Sequence, residues 1–164
     1  MSFDRVAEVY DETRSIPSEV MERIVRILVD ELKGYKTVLD AGVGTGRYAK
    51  PLQDSGFDVV GLDVSSKMLR RAAEKGTGDL LKGDVYNLPF KGSSFDVTIS
   101  ASLLHLVKDW KKALIEITRV TRDLLISVVH KNPNPLSEAY TELLRKSGYT
   151  PQRRGISEWE LKDI

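Results

Sequence analysis

The chain contains no cysteine, which removes disulfides, zinc-thiolate centres and thiol nucleophiles from the chemistry open to it. Side-chain amides are scarce as well: Asn stands only at 87, 132 and 134 and Gln only at 53 and 152, while Lys, Arg and Glu abound, a bias typical of thermophile proteins. Net charge is nearly absent. With 25 Lys and Arg against 24 Asp and Glu, a formal charge of +1 leaves no overall field to hold a polyanion, so nucleic acid and anionic membrane are disfavoured as partners. No apolar stretch approaches bilayer length, and Met-Ser-Phe-Asp-Arg-Val-Ala-Glu at the N-terminus has neither the basic nor the apolar segment of an export signal. The expectation is a cytoplasmic protein without a membrane span.

At 164 residues, 41% hydrophobic and 30% charged, the chain suits one globular domain with a real core. Val20, Ile24, Ile27, Leu28 and Leu32 recur at helical spacing over 18–33, with Ser18 placed to cap and Gly34 to stop the helix. Short β-branched runs then alternate with helical patterns. Residues 37–40, 59–63, 80–82, 95–100 and 124–129 read as strands, and 47–54, 66–75 and 111–120 as helices between them, with Gly56, Gly76 and Gly78 marking helix exits. Strands apolar on both faces belong inside a layered sheet, and helical crossovers make neighbours parallel. The fold class is therefore α/β, doubly wound and Rossmann-like, with a mostly parallel sheet in which five strands are legible. Asn132-Pro133-Asn134-Pro135 reads as a rigid loop before a helix over 136–146, and Ser157 to Glu160 as a capping box.

Asp40-Ala41-Gly42-Val43-Gly44-Thr45-Gly46 follows a strand and opens a helix, the context in which a glycine-rich loop lets backbone N–H groups approach a nucleotide-like ligand. Residues 44–49 also satisfy the dinucleotide pattern, so the loop alone leaves the cofactor open. Three carboxylates narrow it. Asp63, at the end of the second strand, can accept from both ribose hydroxyls. Asp40 stands where a pyrophosphate would be repelled and a cationic amine attracted. Asp84, in Gly83-Asp84-Val85, can accept the adenine amino group. Together they favour a sulfonium amino acid over a dinucleotide.

The order of these segments resembles the class I S-adenosylmethionine-dependent methyltransferases, in the broad group that includes ubiquinone and menaquinone biosynthesis enzymes. The residues that carry the resemblance are 38–46, then Val60-Gly61-Leu62-Asp63-Val64-Ser65 with Met68, then 83–85 through Leu88-Pro89-Phe90, and Phe95-Asp96-Val97 through Leu104-His105-Leu106. The resemblance implies that S-adenosylmethionine is the cofactor and that Asp40, Gly42 and Gly44 hold its methionine end, with Gly46 also among the cofactor-binding residues. It implies that Asp63 holds the ribose, that Val64 and Met68 sandwich the adenine and that Asp84 and Val85 read its edge. Ser100 and Ala101 would border the amino group and the methyl, and Tyr10 would fold over the cofactor. Residues 1–17 are expected to form a lid, 18–34 a helix before the first strand, 35–130 the cofactor-binding core, and 131–164 incomplete C-terminal helices.

Methyl transfer is an in-line displacement for which proximity and orientation supply much of the acceleration, and a base is needed only for a protonated acceptor. His105 is the candidate base, with a satisfied histidine on an apolar turn as the plain alternative; His130 ranks below it. The covalent route to C5-methylated pyrimidines is closed without cysteine. The segment from Ser100 to Leu104 lacks the Asp/Asn-Pro-Pro-aromatic pattern of enzymes acting on exocyclic amines of nucleic acids, and no Asp-Asp-Asn cluster supports a magnesium site. The expectation is metal-free transfer to a small-molecule acceptor. Two other readings stand beside it: a module that binds S-adenosylmethionine without catalysis, and an NAD(P)-dependent oxidoreductase. The family usually completes its sheet with an antiparallel pair beyond the fifth strand, so that strand is expected to be an exposed edge, with three readings: a homodimer that covers it, a truncated chain, or a substrate pocket with one wall missing.

Overall fold

The computed structural model describes residues 3–128, and everything below concerns that part. Its elements, in chain order, are α1 (Tyr10–Thr13), α2 (Ser18–Glu31), β1 (Thr37–Ala41), α3 (Ala49–Asp54), β2 (Asp58–Asp63), α4 (Ser66–Glu74), β3 (Leu80–Lys82), β4 (Phe95–Ala101), α5 (Trp110–Val120) and β5 (Thr121–Val128). The five strands form one sheet in the order β3-β2-β1-β4-β5, every neighbouring pair parallel. From β1 the chain steps outward through β2 to β3, then crosses back to β4 and on to β5. Right-handed crossovers in opposite directions put α3 and α4 on one face and α5 on the other, so the sheet is doubly wound. The reversal beside β1 opens a crevice at the carboxyl ends of β1 and β4, where such sheets bind ligands.

Register decides which side chains share a face. Val38 pairs with Val59 and Val97, and Asp40 with Gly61 and Ile99. Val38, Val59, Val97 and Ile99 are buried in a cluster with Leu28 and Leu32 from the α2 region and Ala49 and Leu52 of α3. Leu39, Ala41, Leu62 and Thr98 alternate with them, point the other way and are buried too. On α5, Ala113, Leu114, Ile117 and Val120 form the buried stripe. Each large aliphatic removed from water in this way contributes roughly 1.5–3 kcal/mol.

Several boundaries differ from the sequence reading. Pro17, not Ser18, is the N-cap of α2 and makes no side-chain hydrogen bond; proline pre-sets the entry dihedral and leaves Ser18 as the first helical residue. The helix ends at Glu31, before Gly34 turns the chain at φ +91°. Helix α3 starts at Ala49 rather than Arg47, because Gly46 still has positive φ. Gly76 marks the exit of α4 with φ +81°, whereas Gly78 is not among the positive-φ residues. Strand β3 is not apolar on both faces: Leu81 and Lys82 are exposed, since β3 is an outer strand. Strand β5 begins at Thr121, three residues early, where Thr121 pairs with Phe95 despite a polar start. Among the described residues β5 is the other outer strand. His130, the 132–135 loop and the two C-terminal helix readings lie outside the described residues.

Two polar clips hold the frame. Asp96 accepts from the backbone N–H groups of Lys36 and Thr37 at 3.0 and 2.9 Å and pairs with Arg122, joining the amino ends of β1, β4 and β5. Those bonds, the Thr37 amide foremost, hold its carboxyl below the usual range. On the other face Arg119 donates to the carbonyls of Phe90 and Leu88 at 2.8 and 3.0 Å, while Glu116 accepts from the Leu88 N–H at 2.9 Å. The Leu88-Pro89-Phe90 turn is thereby fastened to α5.

Candidate functional site

The loop after β1 is built from alternating positive-φ glycines, Gly42 at +80°, Gly44 at +55° and Gly46 at +77°. Gly42 and Val43 donate to the Leu62 carbonyl at 2.8 and 3.0 Å, which seats the loop across the end of β2. Each glycine answers a different demand. A Cβ at Gly46 would fall 2.3 Å from Thr77 Oγ1, and one at Gly42 would press on Leu103 at 3.0 Å. At Gly44 the nearest atom is the Gly42 carbonyl oxygen, 4.0 Å away. Gly46 and Gly42 are thus shaped by packing, whereas the space over Gly44 is open for a ligand.

Asp40 lies under this loop, 1% exposed, and neither carboxylate oxygen has a hydrogen-bond partner among the described residues. Burial, with the Asp63 charge as a second cause, pushes its carboxyl up to about 7; the Ala49 amide opposes the shift without reaching hydrogen-bonding geometry. A buried carboxyl normally has donors, and one without them costs free energy until a cation or donor arrives. Asp63 is better served: Oδ2 accepts from Gly44 N–H at 3.0 Å and Oδ1 from Ser65 N–H at 2.8 Å. Desolvation still raises its carboxyl above the ordinary value. Each oxygen retains a further lone pair. Asp84 is exposed and accepts from the Tyr86 N–H at 3.0 Å, an Asx turn that leaves Oδ2 without a described partner.

The structure gathers most of the expected residues at this edge of the sheet. Ser100 is 1% exposed near the end of β4, its Oγ without a partner among the described residues, and Ala101 closes the strand. Val64, just past Asp63, is 46% exposed and offers a free apolar face. Met68 and Val85 are buried. Tyr10 is half-buried in α1, with the Arg47 guanidinium 5.8 Å from its ring centroid and Phe3 edge-on at 6.1 Å. His105 is exposed on the turn after β4, and no hydrogen bond fixes it among the described residues. No cluster of three or more His, Asp or Glu able to hold a metal occurs among the described residues, and no described helix is long and apolar enough to cross a membrane.

Sequence reasoning missed Leu103, which packs on Gly42, and the contacts of Asp4, Asp11 and Arg14 with Ser65, Thr45 and Arg47. The polar pairs join positions 61, 34 and 33 apart, so no local pattern could announce them. For Leu103, only its place after the fourth strand was a signal.

A doubly wound parallel sheet, a glycine loop open at Gly44 and an unpartnered carboxyl beneath it define a nucleotide-cofactor fold with a cation-seeking end. The methyltransferase domain family matches residues 39–124. A demethylmenaquinone methyltransferase of Renibacterium salmoninarum is 38% identical over 154 residues, covering 88% of this chain and 65% of that protein. A malonyl-[acyl-carrier protein] O-methyltransferase of Hamiltonella defensa is 34% identical over 122 residues, covering 74% and 46%. Among solved structures, a SAM-dependent methyltransferase of Thermotoga maritima, described as a possible histamine N-methyltransferase, superposes with a TM-score of 0.63 at 28% identity, covering 98% of this chain and 76% of that one. The chain belongs to the methyltransferase domain family, of the class I S-adenosylmethionine-dependent kind. It spans less than two thirds of the length of the two curated relatives named.

Proposed function

We propose that this protein transfers a methyl group from S-adenosylmethionine to a small-molecule acceptor. The observation that carries the reading is Asp40, a fully buried carboxyl under an open glycine loop with no donor of its own. An ammonium group supplies the charge and hydrogen bonds it lacks, whereas a pyrophosphate would meet two carboxylates, Asp40 and Asp63. When bound, the sulfonium supplies the methyl group. Asp40 holds the α-ammonium, Asp63 takes the ribose hydroxyls on its remaining lone pairs, and Gly42, Gly44 and Gly46 allow close backbone approach. Val64 and Met68 flank the adenine, Asp84 and Val85 take its edge, and Ser100 and Ala101 border the reacting atoms. Holding donor and acceptor in line is the main catalytic contribution. His105, exposed beside the end of β4, is the base for an acceptor that must lose a proton.

The relatives' names span a quinone precursor, an acyl thioester and an amine, so the acceptor is proposed only as a small molecule or a small group on a carrier. Cytoplasmic residence and a homodimer across the β5 edge belong to the same proposal, the latter tested by sedimentation at micromolar concentration. Activity is tested by incubating the chain with methyl-tritiated S-adenosylmethionine and, in turn, a demethylmenaquinone, a malonyl thioester and histamine. Label transferred to one of them supports the proposal, and loss of that transfer in Asp63→Ala ties it to this site. Binding of S-adenosylmethionine without transfer to any acceptor offered would favour the non-catalytic module.

A further inference from the structure

The N-terminal segment lies directly on the cofactor loop, and one carboxylate fastens it there. Asp11, in α1, accepts from Thr45 Oγ1 at 2.7 Å and pairs with Lys75 Nζ at 2.5 Å. Thr45 stands between Gly44 and Gly46 and is 1% exposed, and Lys75 is the C-cap of α4. Asp11 therefore joins three elements that are distant in sequence: the N-terminal segment, the glycine loop and the helix after β2. Two further ties flank it. The Arg14 carbonyl accepts from Arg47 at 2.6 Å, and Asp4 accepts from Ser65 Oγ at 2.6 Å and Lys67 N–H at 3.3 Å, at the N-terminus of α4 beside Asp63. Between these ties Ala7 is buried to 1% exposure. Phe3 and Tyr10 are partly buried edge-on to each other with Arg47 over the Tyr10 ring, whereas Val6 and Val9 are 40% and 45% exposed. Polar contacts thus tie the segment down at three places, and α1 is a single turn with no buried residue of its own.

We propose that Asp11 is a positioning residue that latches the N-terminal segment over the cofactor site through Thr45 and Lys75, and that its release controls exchange of the adenosyl ligand. The inference rests on the assignment of the glycine loop to S-adenosylmethionine. A latch of this kind has three properties that a structural contact elsewhere lacks. It acts on the rate of ligand release, because the segment must lift for the ligand to leave. It weakens with salt, because the Asp11–Lys75 pair is about a third exposed on each side. Removing the Asp11 carboxylate breaks both of its bonds at once, so with it gone the further loss of the Thr45 hydroxyl adds nothing, while loss of that hydroxyl alone leaves the Lys75 pair in place.

The test uses the full chain and tritiated S-adenosylhomocysteine, whose release is followed after adding excess unlabelled compound. In the wild type, raising sodium chloride from 0.05 to 0.5 M should speed release several-fold. Asp11→Ala, which loses both contacts, should release the ligand about tenfold faster or more and lose the salt response; Thr45→Val should release it several-fold faster and keep the salt response; and the double variant should be no faster than Asp11→Ala. Thermal denaturation checks that the variants are folded; Thr45→Val, nearly isosteric, serves if Asp11→Ala is not. Release at wild-type rates in the folded variants, or multiplicative effects in the double variant, overturns the latch alone. A wild-type chain that binds no S-adenosylhomocysteine refutes the cofactor assignment and the latch with it.

Discussion

Replacing Asp40 by asparagine should make the free protein more stable and cofactor binding worse. In the folded state the Asp40 carboxyl titrates at about 7, against 3.8 for the unperturbed group, because it is buried without donors and close to Asp63. The sign follows from linkage. A carboxyl raised in the folded state adds no penalty below pH 3.8, but as pH climbs the unfolded chain ionises first, so stability declines until pH passes about 7. Three pKa units correspond to about 4 kcal/mol at full development. Asparagine never ionises, but its amide is also short of partners, at a cost of about 1–3 kcal/mol. A net gain of roughly 2 kcal/mol at pH 8 should raise Tm by about 5 °C, cross zero between about pH 5 and 6, and turn into a loss of roughly 1–2 kcal/mol near pH 4, where the wild-type penalty has almost gone and the amide's cost remains. Binding should move the other way. A ligand ammonium that needs the ionised form should bind the wild type about eightfold more tightly at pH 7.5 than at pH 6.0, releasing about half a proton at pH 7. Asp40→Asn should lose about 10- to 100-fold in affinity and both pH effects. Calorimetry in two buffers of different ionisation heat, with differential scanning calorimetry of the free proteins, measures all of this. A variant less stable than wild type at every pH, with unchanged affinity for S-adenosylmethionine, would refute the reasoning.

The glycines of the loop should separate folding from binding. Gly46→Ala places a Cβ 2.3 Å from Thr77 Oγ1 and should destabilise by about 2 kcal/mol or more in urea denaturation. Gly44→Ala meets open space and carries only the strain of φ +55°, about 1–2 kcal/mol, but should abolish measurable cofactor binding in calorimetry. Asp96→Ala strands the Lys36 and Thr37 amides at the end of the sheet away from the site, so it should cost about 1–3 kcal/mol and leave the dissociation constant for S-adenosylhomocysteine unchanged. Glu116, held down to about 2 by Arg119, contributes stability that is present above pH 4.5 and lost as pH falls toward 2. Glu116→Gln should flatten that part of a urea-denaturation series between pH 2 and 6.

The sheet was legible because its signals are local. β-branched runs, helical spacing and glycines placed β1, β2 and β4 within a residue or so, and the carboxylates at 40, 63 and 84 mark strand ends that the parallel register brings to one edge. Where local chemistry and pairing conflict, the reading slipped. Thr121, Arg122 and Asp123 read by their polarity as lying outside the fifth strand but form the start of β5, because Thr121 pairs with Phe95 and Arg122 reaches Asp96. Leu80-Leu81-Lys82 looks like a core strand but is an outer one. The clips made by Asp96 and Arg119 and the docking of Asp11 on Thr45 join residues 26 to 60 positions apart. Composition and spacing carry no trace of such pairings, and Asp40 illustrates the difference: its place at the strand end was readable, its lack of a partner was not.

The most direct test of the cofactor assignment is titration calorimetry of the wild-type chain at pH 7.5 with S-adenosylmethionine, S-adenosylhomocysteine and NAD in turn. Saturable one-to-one binding of the two adenosyl compounds, with no heat from the dinucleotide, is the predicted result. Binding of NAD with no response to either adenosyl compound would contradict it.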